Sequence, residues 1–436
     1  MKIREVSAFQ IFDSRGNPTI EAEIVLEGGM RGHGLVPSGA STGQYEALEL
    51  RDQEASRFRG KSVARAIGNV NGEIAQALRG MDAGDQAAID RALINLDGTP
   101  NKSRLGANAI LAVSLAVANS AAAAKEKPLF ESLGGAEATL LPLPEIQIIG
   151  GGAHANWRTD VQDFLVIATG AKSYPETLEV TFNIYQAAKE VLRERKKYFG
   201  IADEGGFWPE FATNEEILRV LVETIQRAGY TPGKEAAISL DIAASDLFDE
   251  ATGKYHFRRE GREFSSEQFT ELVVGWCEAY PIISIEDPMA DTDWAGWRRI
   301  QAALGHKIQL IGDDLFTTNL QRIRKGIEEG VANAVLIKLN QIGTVTETLD
   351  AIRLTQQAGW LPVISGRSGE TEDAFISHLA VATNAGQLKV GSFARSERMA
   401  KWNEVLRIER ILGERARFEG ARIFDKIRQP QRKTNS

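Results

Sequence analysis

The sequence predicts an α/β protein in two parts, a small α+β unit followed by a β/α barrel. With 436 residues, the chain is longer than one simple core usually supports. Its first 60 residues contain alternating apolar and polar positions, as in "TIEAEIVLEGG", which is typical of strands joined by turns. Further along, six short apolar runs each end in a charged residue and are separated by helix-like segments.

The N-terminal unit is expected to continue with helices from residue 60 to about 125. The stretch "ANAILAVSLAVANSAAAAKEK" from Ala107 is apolar, but its apolar core is shorter than the ~20 residues that span a membrane. We therefore expect a helix buried inside the protein. In "KPLFESLGGAEATLLPLPE" the composition shifts to Gly and Pro, which indicates a boundary near 125–142 and predicts domains at 1–135 and 140–430.

The six apolar runs predict parallel barrel strands. Their ends lie 22 to 45 residues apart, and one βα unit needs roughly 30 residues. Buried parallel strands are apolar throughout because helices cover both faces of the sheet. Charges at the carboxyl ends of such strands lie where a β/α barrel has its active site. The runs "AAISLD", "PIISIED", "IQLIGDD", "ANAVLIK", "LPVISGR" and "QLK" carry the charged residues Asp241, Glu286, Asp313, Lys338, Arg367 and Lys389.

Three of these charges are carboxylates on successive runs, Asp241, Glu286 and Asp313. A closed barrel brings them together, and carboxylates that close must be protonated, paired or bound to a cation. Oxygen ligands without His or Cys favour Mg²⁺ over zinc. The alternative is three separate surface salt bridges.

The cationic residues predict a base and an anion receptor. Lys338 ends a buried run, and a lysine in a partly dry site beside a metal and another cation can have its pKa lowered enough to act as a base. The alternative is a structural ion pair. Arg367, Ser368 and Lys389 add two positive charges and a hydroxyl on the same face, which suits a phosphate or carboxylate.

Composition excludes several other classes of protein. The net charge is −8 with both signs interspersed, which disfavours nucleic-acid binding. The single cysteine, Cys277, excludes an internal disulfide and fits a reducing compartment. The N-terminal segment "MKIREVSAFQIFDSRGNPT" lacks the uninterrupted apolar stretch of a signal peptide. We expect a cytoplasmic protein with a small-molecule partner and neither nucleic-acid nor membrane partners.

Nine motifs follow one another along the chain: "SRGNPT", "PSGASTGQYEALELRD", "LDGTPNKSRLGANAIL", "ADEGGF", "SIEDP", "GDDLF", "IKLNQIGT", "SGRSGETED" and "RSERMAKWNEVLRIE". By their order and spacing the chain resembles, from end to end, the enolase family, the phosphopyruvate hydratases. The resemblance implies an N-terminal α+β domain capping a modified (β/α)8 TIM-like barrel, and a homodimer or higher homo-oligomer. It also implies the glycolytic interconversion of 2-phosphoglycerate and phosphoenolpyruvate with two Mg²⁺ ions.

The resemblance implies roles for single residues. Lys338 matches the base that removes the C2 proton, and Glu204 matches the acid that helps hydroxide leave C3. The positions that match metal ligands are Asp241, Glu286 and Asp313 for the first ion and Ser41 for the second. The positions that match substrate contacts are His154, Gln162, Arg367, Ser368 and Lys389.

The sequence departs from the family pattern at four places. Asp163 stands where the family has a second catalytic glutamate, and Gly366 stands where it has a histidine. Gly150 replaces an asparagine, and "HADN" has become "HANW", with Asn156 and Trp157. The family's glutamate and histidine lie on the leaving-group side. The half of the site that removes the C2 proton is therefore intact, and the half that expels water is altered.

Three functions follow from this pattern. The first is a working enolase in which Asp163 reaches the spot of the longer glutamate. The second is a specialised paralogue with altered leaving-group chemistry, such as the carboxyphosphonoenolpyruvate synthase of phosphonate biosynthesis, in which Gly366 opens room beside the phosphoryl site. The third is an inactive scaffold, which the charges disfavour, since unneeded like charges in one pocket are destabilising.

Overall fold

The computed structural model of the chain describes residues 1–39 and 43–428. Its N-terminal part begins with an antiparallel sheet in the order β1 (Ile3–Phe12), β2 (Pro18–Leu26) and β3 (Arg31–Leu35). A short strand, β4, ends this part at Leu140–Leu141. Between β3 and β4 the described residues form five α-helices: α1 (Ala64–Asn69), α2 (Ala75–Leu78), α3 (Gln86–Asp97), α4 (Ala107–Ala124) and α5 (Leu129–Gly134).

The N-terminal strands end at Leu35, earlier than the sequence pattern indicated. From residue 43 to the start of α1 the described backbone forms turns and irregular structure instead of strands. Its amides bond to distant segments: the Ala47 N–H donates to the Gln341 carbonyl at 2.8 Å and the Leu48 N–H to the Asn101 carbonyl at 2.8 Å. These single long-range bonds replace a strand ladder, and they tie the segment to the rest of the molecule.

The apolar helix α4 lies inside the protein, as the sequence predicted. It is long and apolar enough to cross a membrane, but 83% of its length is buried within the molecule. The N-terminal sheet rests directly on its backbone because two glycines of β3 have no side chain to keep it away. A Cβ on Gly34 would lie 2.1 Å from the Ala112 carbonyl oxygen, and one on Gly32 would lie 2.3 Å from the Ala116 carbonyl oxygen.

The second part contains a closed barrel of eight strands, in the order in which the chain forms them. The barrel strands are β5 (Leu143–Gly150), β6 (Asp163–Ile167), β7 (Ala237–Asp241), β11 (Ile282–Glu286), β12 (Gln309–Gly312), β13 (Ala334–Ile337), β14 (Leu361–Ser365) and β15 (Gln387–Ser392). The six apolar runs of the sequence form the last six of these strands, β7 and β11 to β15. One strand, β6, runs antiparallel to both neighbours, and the remaining neighbours are parallel.

A small sheet of three short strands follows β7, and helices connect the barrel strands. A last short strand, β16 (Arg417–Phe418), pairs with β4. The small sheet comprises β8 (Phe248–Asp249), β9 (Lys254–Phe257) and β10 (Arg262–Ser265). The helices are α6 (Tyr174–Glu194), α7 (Asn214–Arg227), α8 (Ser266–Ala279), α9 (Trp294–Leu304), α10 (Leu320–Glu329), α11 (Leu339–Ile342), α12 (Val345–Gln357), α13 (Phe375–Ala382), α14 (Ser396–Leu412) and α15 (Asp425–Arg428).

Side-chain caps start several of the barrel helices. Ser173, Thr213, Asp293 and Thr344 each accept a hydrogen bond from a backbone amide in the first turn of α6, α7, α9 and α12. Ser265 forms a reciprocal capping box at the start of α8. Such caps satisfy amides that have no partner within the helix. They set the points at which each helix turns back towards the next strand.

Candidate active site

The charged ends of the apolar runs meet at one end of the barrel, as predicted. Asp241 and Glu286 are the last residues of β7 and β11. Asp313 and Lys338 directly follow β12 and β13, and Arg367 lies two residues after β14. One pocket at this end is lined by ten of the predicted residues: His154, Gln162, Asp163, Glu204, Asp241, Asp313, Lys338, Arg367, Ser368 and Lys389.

Two lysines pair with the three carboxylates of the predicted metal site. Lys389 Nζ lies 2.9 Å from Asp241 Oδ2 and 2.6 Å from Glu286 Oε2. Lys338 Nζ donates to Asp313 Oδ2. These three carboxylates are not one of the ligand triads within 4.8 Å that the described residues contain. The structure thus places the predicted ligands at one end of the barrel, each paired with a lysine.

The pKa values in this site follow from burial and from neighbouring charges. Burial alone would raise the pKa of Asp241, but the Lys389 ammonium outweighs it and the pKa is lowered. Burial and then the Asp241 charge raise the pKa of Glu286 well above its ordinary value. Burial would lower the pKa of Lys338, but the neighbouring charges, Asp313 first, raise it. The sequence had suggested a lowered pKa for this lysine.

The donor set suits a hard divalent cation. Asp287, Asp313 and Asp314 place one carboxylate oxygen each within 4.8 Å of the others, next to Asp241 and Glu286 on neighbouring strands. Burial and mutual repulsion raise the pKa of Asp287 and Asp314 well above the ordinary range. The donors are carboxylate oxygens with no Cys among them, and oxygen ligands are those that Mg²⁺ prefers.

A second cluster in the same pocket contains His154, Asp163 and Glu204, whose ligand atoms lie within 4.8 Å of one another. His154 Nδ1 is 3.4 Å from Asp163 Oδ1. Burial would lower the pKa of His154, but the charges of Asp163 and then Glu204 raise it to about 9. Burial and then the Asp163 charge raise the pKa of Glu204, which favours its protonated form.

Arg367 is fixed at the rim of the pocket by the N-terminal part of the chain. Its Nη1 donates to Glu46 Oε2 at 2.9 Å and to Asn340 Oδ1 at 3.2 Å. Its backbone N–H donates to Glu370 Oε1 at 2.8 Å. A Cβ added at Gly366 would lie 3.0 Å from the same Glu370 oxygen. A side chain at residue 366 therefore fits only if Glu370 moves by a few tenths of an ångström.

Sequence reasoning missed several residues of the site. Glu46 lies in the quoted motif "PSGASTGQYEALELRD", but nothing in the sequence shows that it reaches Arg367. Gln341 donates to Asp313 Oδ1 at 2.7 Å, and Gln147 donates to Asp163 Oδ1. These contacts join residues far apart in the chain, so only the fold reveals them.

Three other predicted positions, Glu286, Asn156 and Trp157, are not among the residues that line this pocket. Glu286 is 2% exposed and contacts the pocket through Lys389. Asn156 and Trp157 lie in the loop after β5, both with positive φ, and Trp157 is 37% exposed. Ser41 lies outside the described residues.

Comparisons with known proteins agree with the fold and the site. The family model "Enolase, N-terminal domain" matches residues 3–133, and "Enolase, C-terminal TIM barrel domain" matches residues 138–427. The chain is 56% identical over 424 residues to a protein named Enolase 1 from Desulfitobacterium hafniense (strain Y51). The aligned residues make up 97% of this chain and 97% of that protein. The family resemblance predicted from the motifs is thus confirmed. By these matches and by the barrel with its charged rim, this chain belongs to the enolase family.

Proposed function

We propose that this chain is a Mg²⁺-dependent enolase, a carbon–oxygen lyase that eliminates water from 2-phosphoglycerate to give phosphoenolpyruvate. The observation that carries the proposal is that one pocket brings a lysine and a protonated carboxyl group together. Lys338 lies among carboxylates, and the cluster of His154, Asp163 and Glu204 lines the same pocket. A base for the C2 proton and an acid for the leaving hydroxyl group are what the elimination requires.

Lys338 takes the proton from C2. Removal of a proton next to a carboxylate builds a second negative charge on that group, and bound Mg²⁺ supplies positive charge there. Asp241, Glu286 and Asp313 would hold the first ion. Asp313 is also the largest of the contributions that raise the pKa of Lys338. A cation held by Asp313 would oppose that contribution and would favour the neutral lysine that acts as a base.

Glu204 gives a proton to the hydroxyl that leaves C3. Its pKa is raised by burial and by Asp163, so the carboxyl group carries the proton that the leaving hydroxide needs. We assign Asp163 to the same side as a second catalytic carboxylate, and His154 and Gln162 to substrate contacts. Their location around Glu204 in one pocket supports this assignment.

The anionic ends of the substrate need fixed cations. We propose that Arg367 and Ser368 contact the phosphate of the substrate. Lys389, which lies beside Asp241 and Glu286, would contact the carboxylate of the substrate. The Arg367 guanidinium is 5% exposed and its direction is set by Glu46. A guanidinium held in this way binds a phosphate without a large loss of side-chain entropy.

The test is an assay that follows phosphoenolpyruvate absorbance with purified protein, 2-phosphoglycerate and Mg²⁺. We expect a kcat on the order of 10 per second, loss of activity with a chelator, and its return with Mg²⁺. Lys338→Met should lower kcat by ~100- to 10,000-fold. Lys325→Met is the matched control, since Lys325 is a lysine on the surface, and it should leave kcat unchanged.

The same assay separates the enolase from the two other functions. Negligible turnover by the wild type would favour the specialised paralogue or the scaffold. Isothermal titration with Mg²⁺ and a phosphonate analogue then distinguishes these two, since a scaffold shows no metal-dependent binding. The 56% identity to Enolase 1 supports the enolase reaction.

Further proposals concern organisation. We propose that 1–135 and 140–430 are the two domains, that a second Mg²⁺ uses Ser41, and that the chain forms a homodimer or higher homo-oligomer in the cytoplasm. The single cysteine supports a reducing compartment. Analytical ultracentrifugation of the purified chain measures the number of subunits.

A further inference from the structure

Gln147 is a buried glutamine on β5 whose amide group contacts both Asp163 and the loop that carries Glu204. Its Nε2 donates to Asp163 Oδ1. Its Oε1 accepts from the Gly206 backbone N–H at 2.8 Å. Gly206 belongs to the loop "ADEGGF" that carries Glu204. One amide group therefore joins a catalytic carboxylate to the loop that bears the other.

Two glycines, Gly206 and Gly150, leave room for the side chain of Gln147. A Cβ at Gly206 would lie 2.5 Å from Gln147 Oε1. A Cβ at Gly150 would lie 2.7 Å from the Ala202 Cβ and 3.3 Å from Gln147 Nε2. In the barrel register, Gly150 pairs with Asp163. The glycine that departs from the family pattern thus lies beside the shortened acid and the long amide that reaches it.

The contact with Gln147 engages one oxygen of Asp163, a residue that lines the pocket. Asp163 is fully buried, and among the residues that the structure describes its other oxygen, Oδ2, has no hydrogen-bond partner. The Lys389 ammonium lies 3.9 Å from Oδ2. A buried carboxylate oxygen without a donor is costly, unless a substrate group takes that place.

We infer that Gln147 is a positioning residue that aims Asp163 Oδ2 at the leaving-group side of the substrate and fixes the Glu204 loop in the same arrangement. The inference deepens the proposed function and rests on it. Gln147 and Asp163 act as a pair whose combined length bridges the space between β5 and β6. Asp163 is one methylene group shorter than the family's glutamate, and the Gln147 side chain is long enough to reach it. Changing the length of either side chain alone would therefore move the Asp163 carboxylate.

The experiment shortens Gln147 by one methylene group, lengthens Asp163 by one, and then combines the two changes. Gln147→Asn moves the amide away from Asp163 and should lower kcat by ~10- to 100-fold, as expected when a reacting group moves by about 1 Å. KM should change less than about threefold, because Gln147 lies behind Asp163. Asp163→Glu alone should also lower kcat, since the longer acid meets the unshortened amide.

The double variant Gln147→Asn with Asp163→Glu restores the combined length, and we expect its kcat to exceed that of either single variant by about tenfold. Gln387→Asn is the matched control, because it shortens another fully buried barrel glutamine, and it should leave kcat and KM within twofold of the wild type. Gln147→Met keeps the length but loses both hydrogen bonds, and it should lower kcat as Gln147→Asn does.

Two results would overturn the inference: wild-type kcat in both Gln147→Asn and Gln147→Met, or a double variant no better than its worse parent. Absence of turnover in the wild type would refute the proposed enolase reaction instead. In that case crystal structures decide the inference. A rotated Asp163 carboxylate in Gln147→Met supports it, and an unmoved carboxylate contradicts it.

Discussion

Replacing Asp163 with asparagine should lower the pKa of His154 by roughly 2 units, ~3 kcal/mol. The His154 pKa of about 9 stands against an ordinary value of 6.5. Burial opposes this rise, and the charge of Asp163 is the first of the contributions that produce it. Two unit charges 3.4 Å apart attract by about 5 kcal/mol at an effective dielectric constant of ~20. That energy corresponds to ~3.6 pKa units. Removing Asp163 also favours the ionised form of Glu204, whose charge raises the pKa of His154, and this offsets part of the change.

The chain has only five histidines, so ring-labelled histidine NMR resolves each titration. His154→Gln identifies the His154 signal by its loss. In the wild type we expect this signal to stay in the protonated position from pH 6 to pH 8 and to titrate near 9. In Asp163→Asn it should titrate near 7.

The raised pKa of His154 also determines how the unfolding free energy changes with pH. A histidine whose pKa is raised by folding stabilises the protein fully below its unfolded pKa, about 6.5, and this contribution is lost as the pH rises through 9. Part of the stability lost in Asp163→Asn should therefore disappear above pH 9. A wild-type His154 that titrates near 6.5, or one that Asp163→Asn leaves unmoved, would refute the geometry of this cluster.

Three further predictions concern stability. Gly34→Ala should cost ~1–3 kcal/mol or more in unfolding free energy, because a Cβ would lie 2.1 Å from the backbone of α4. Gly366→His should cost ~1–2 kcal/mol, because its Cβ needs space that Glu370 occupies. Glu404→Gln should cost ~1–2 kcal/mol at neutral pH, since a hydrogen bond from His378 lowers the pKa of Glu404 to about 2. That cost is present above pH 4.5 and is lost as the pH falls towards 2.

Denaturant unfolding followed by circular dichroism measures all three. Gly68→Ala is the control for the glycine variants, because a Cβ there meets nothing within 4 Å, and it should not destabilise the protein. Equal stability of Gly34→Ala and Gly68→Ala would contradict the close approach of sheet and helix. A Glu404→Gln effect that stays constant down to pH 3 would contradict the assigned ion pair.

The sequence predicts the barrel well because its strands are buried on both faces and end in charges. The runs that end near Asp241, Glu286 and Asp313 need no tertiary information to be recognised. The apolar runs did not identify the first two barrel strands, β5 and β6, because neither is an apolar stretch that ends in a charge. β5 carries the polar Gln147 within its span, and β6 begins at Asp163.

The site was predictable in its residues and less so in its electrostatics. Motifs located Lys338, but the direction of its pKa shift depends on how close Asp313 lies, which is a tertiary distance. Gly366 and Asp163 were visible as departures from a family pattern. Their partners, Glu370 and Gln147, were not, because a contact between strands or within a tight turn leaves no trace in periodicity.

The bond between Glu46 and Arg367 has a consequence for any attempt to divide the protein. Both side chains are less than a tenth exposed, and they come from segments 321 residues apart. A barrel expressed without the first part would lose the carboxylate that faces this buried guanidinium, and an uncompensated buried charge is strongly destabilising. The N-terminal segment is thus a structural requirement of the phosphate side, and a minimal enzyme reduced to the barrel alone would be defective at the residue proposed to hold its substrate.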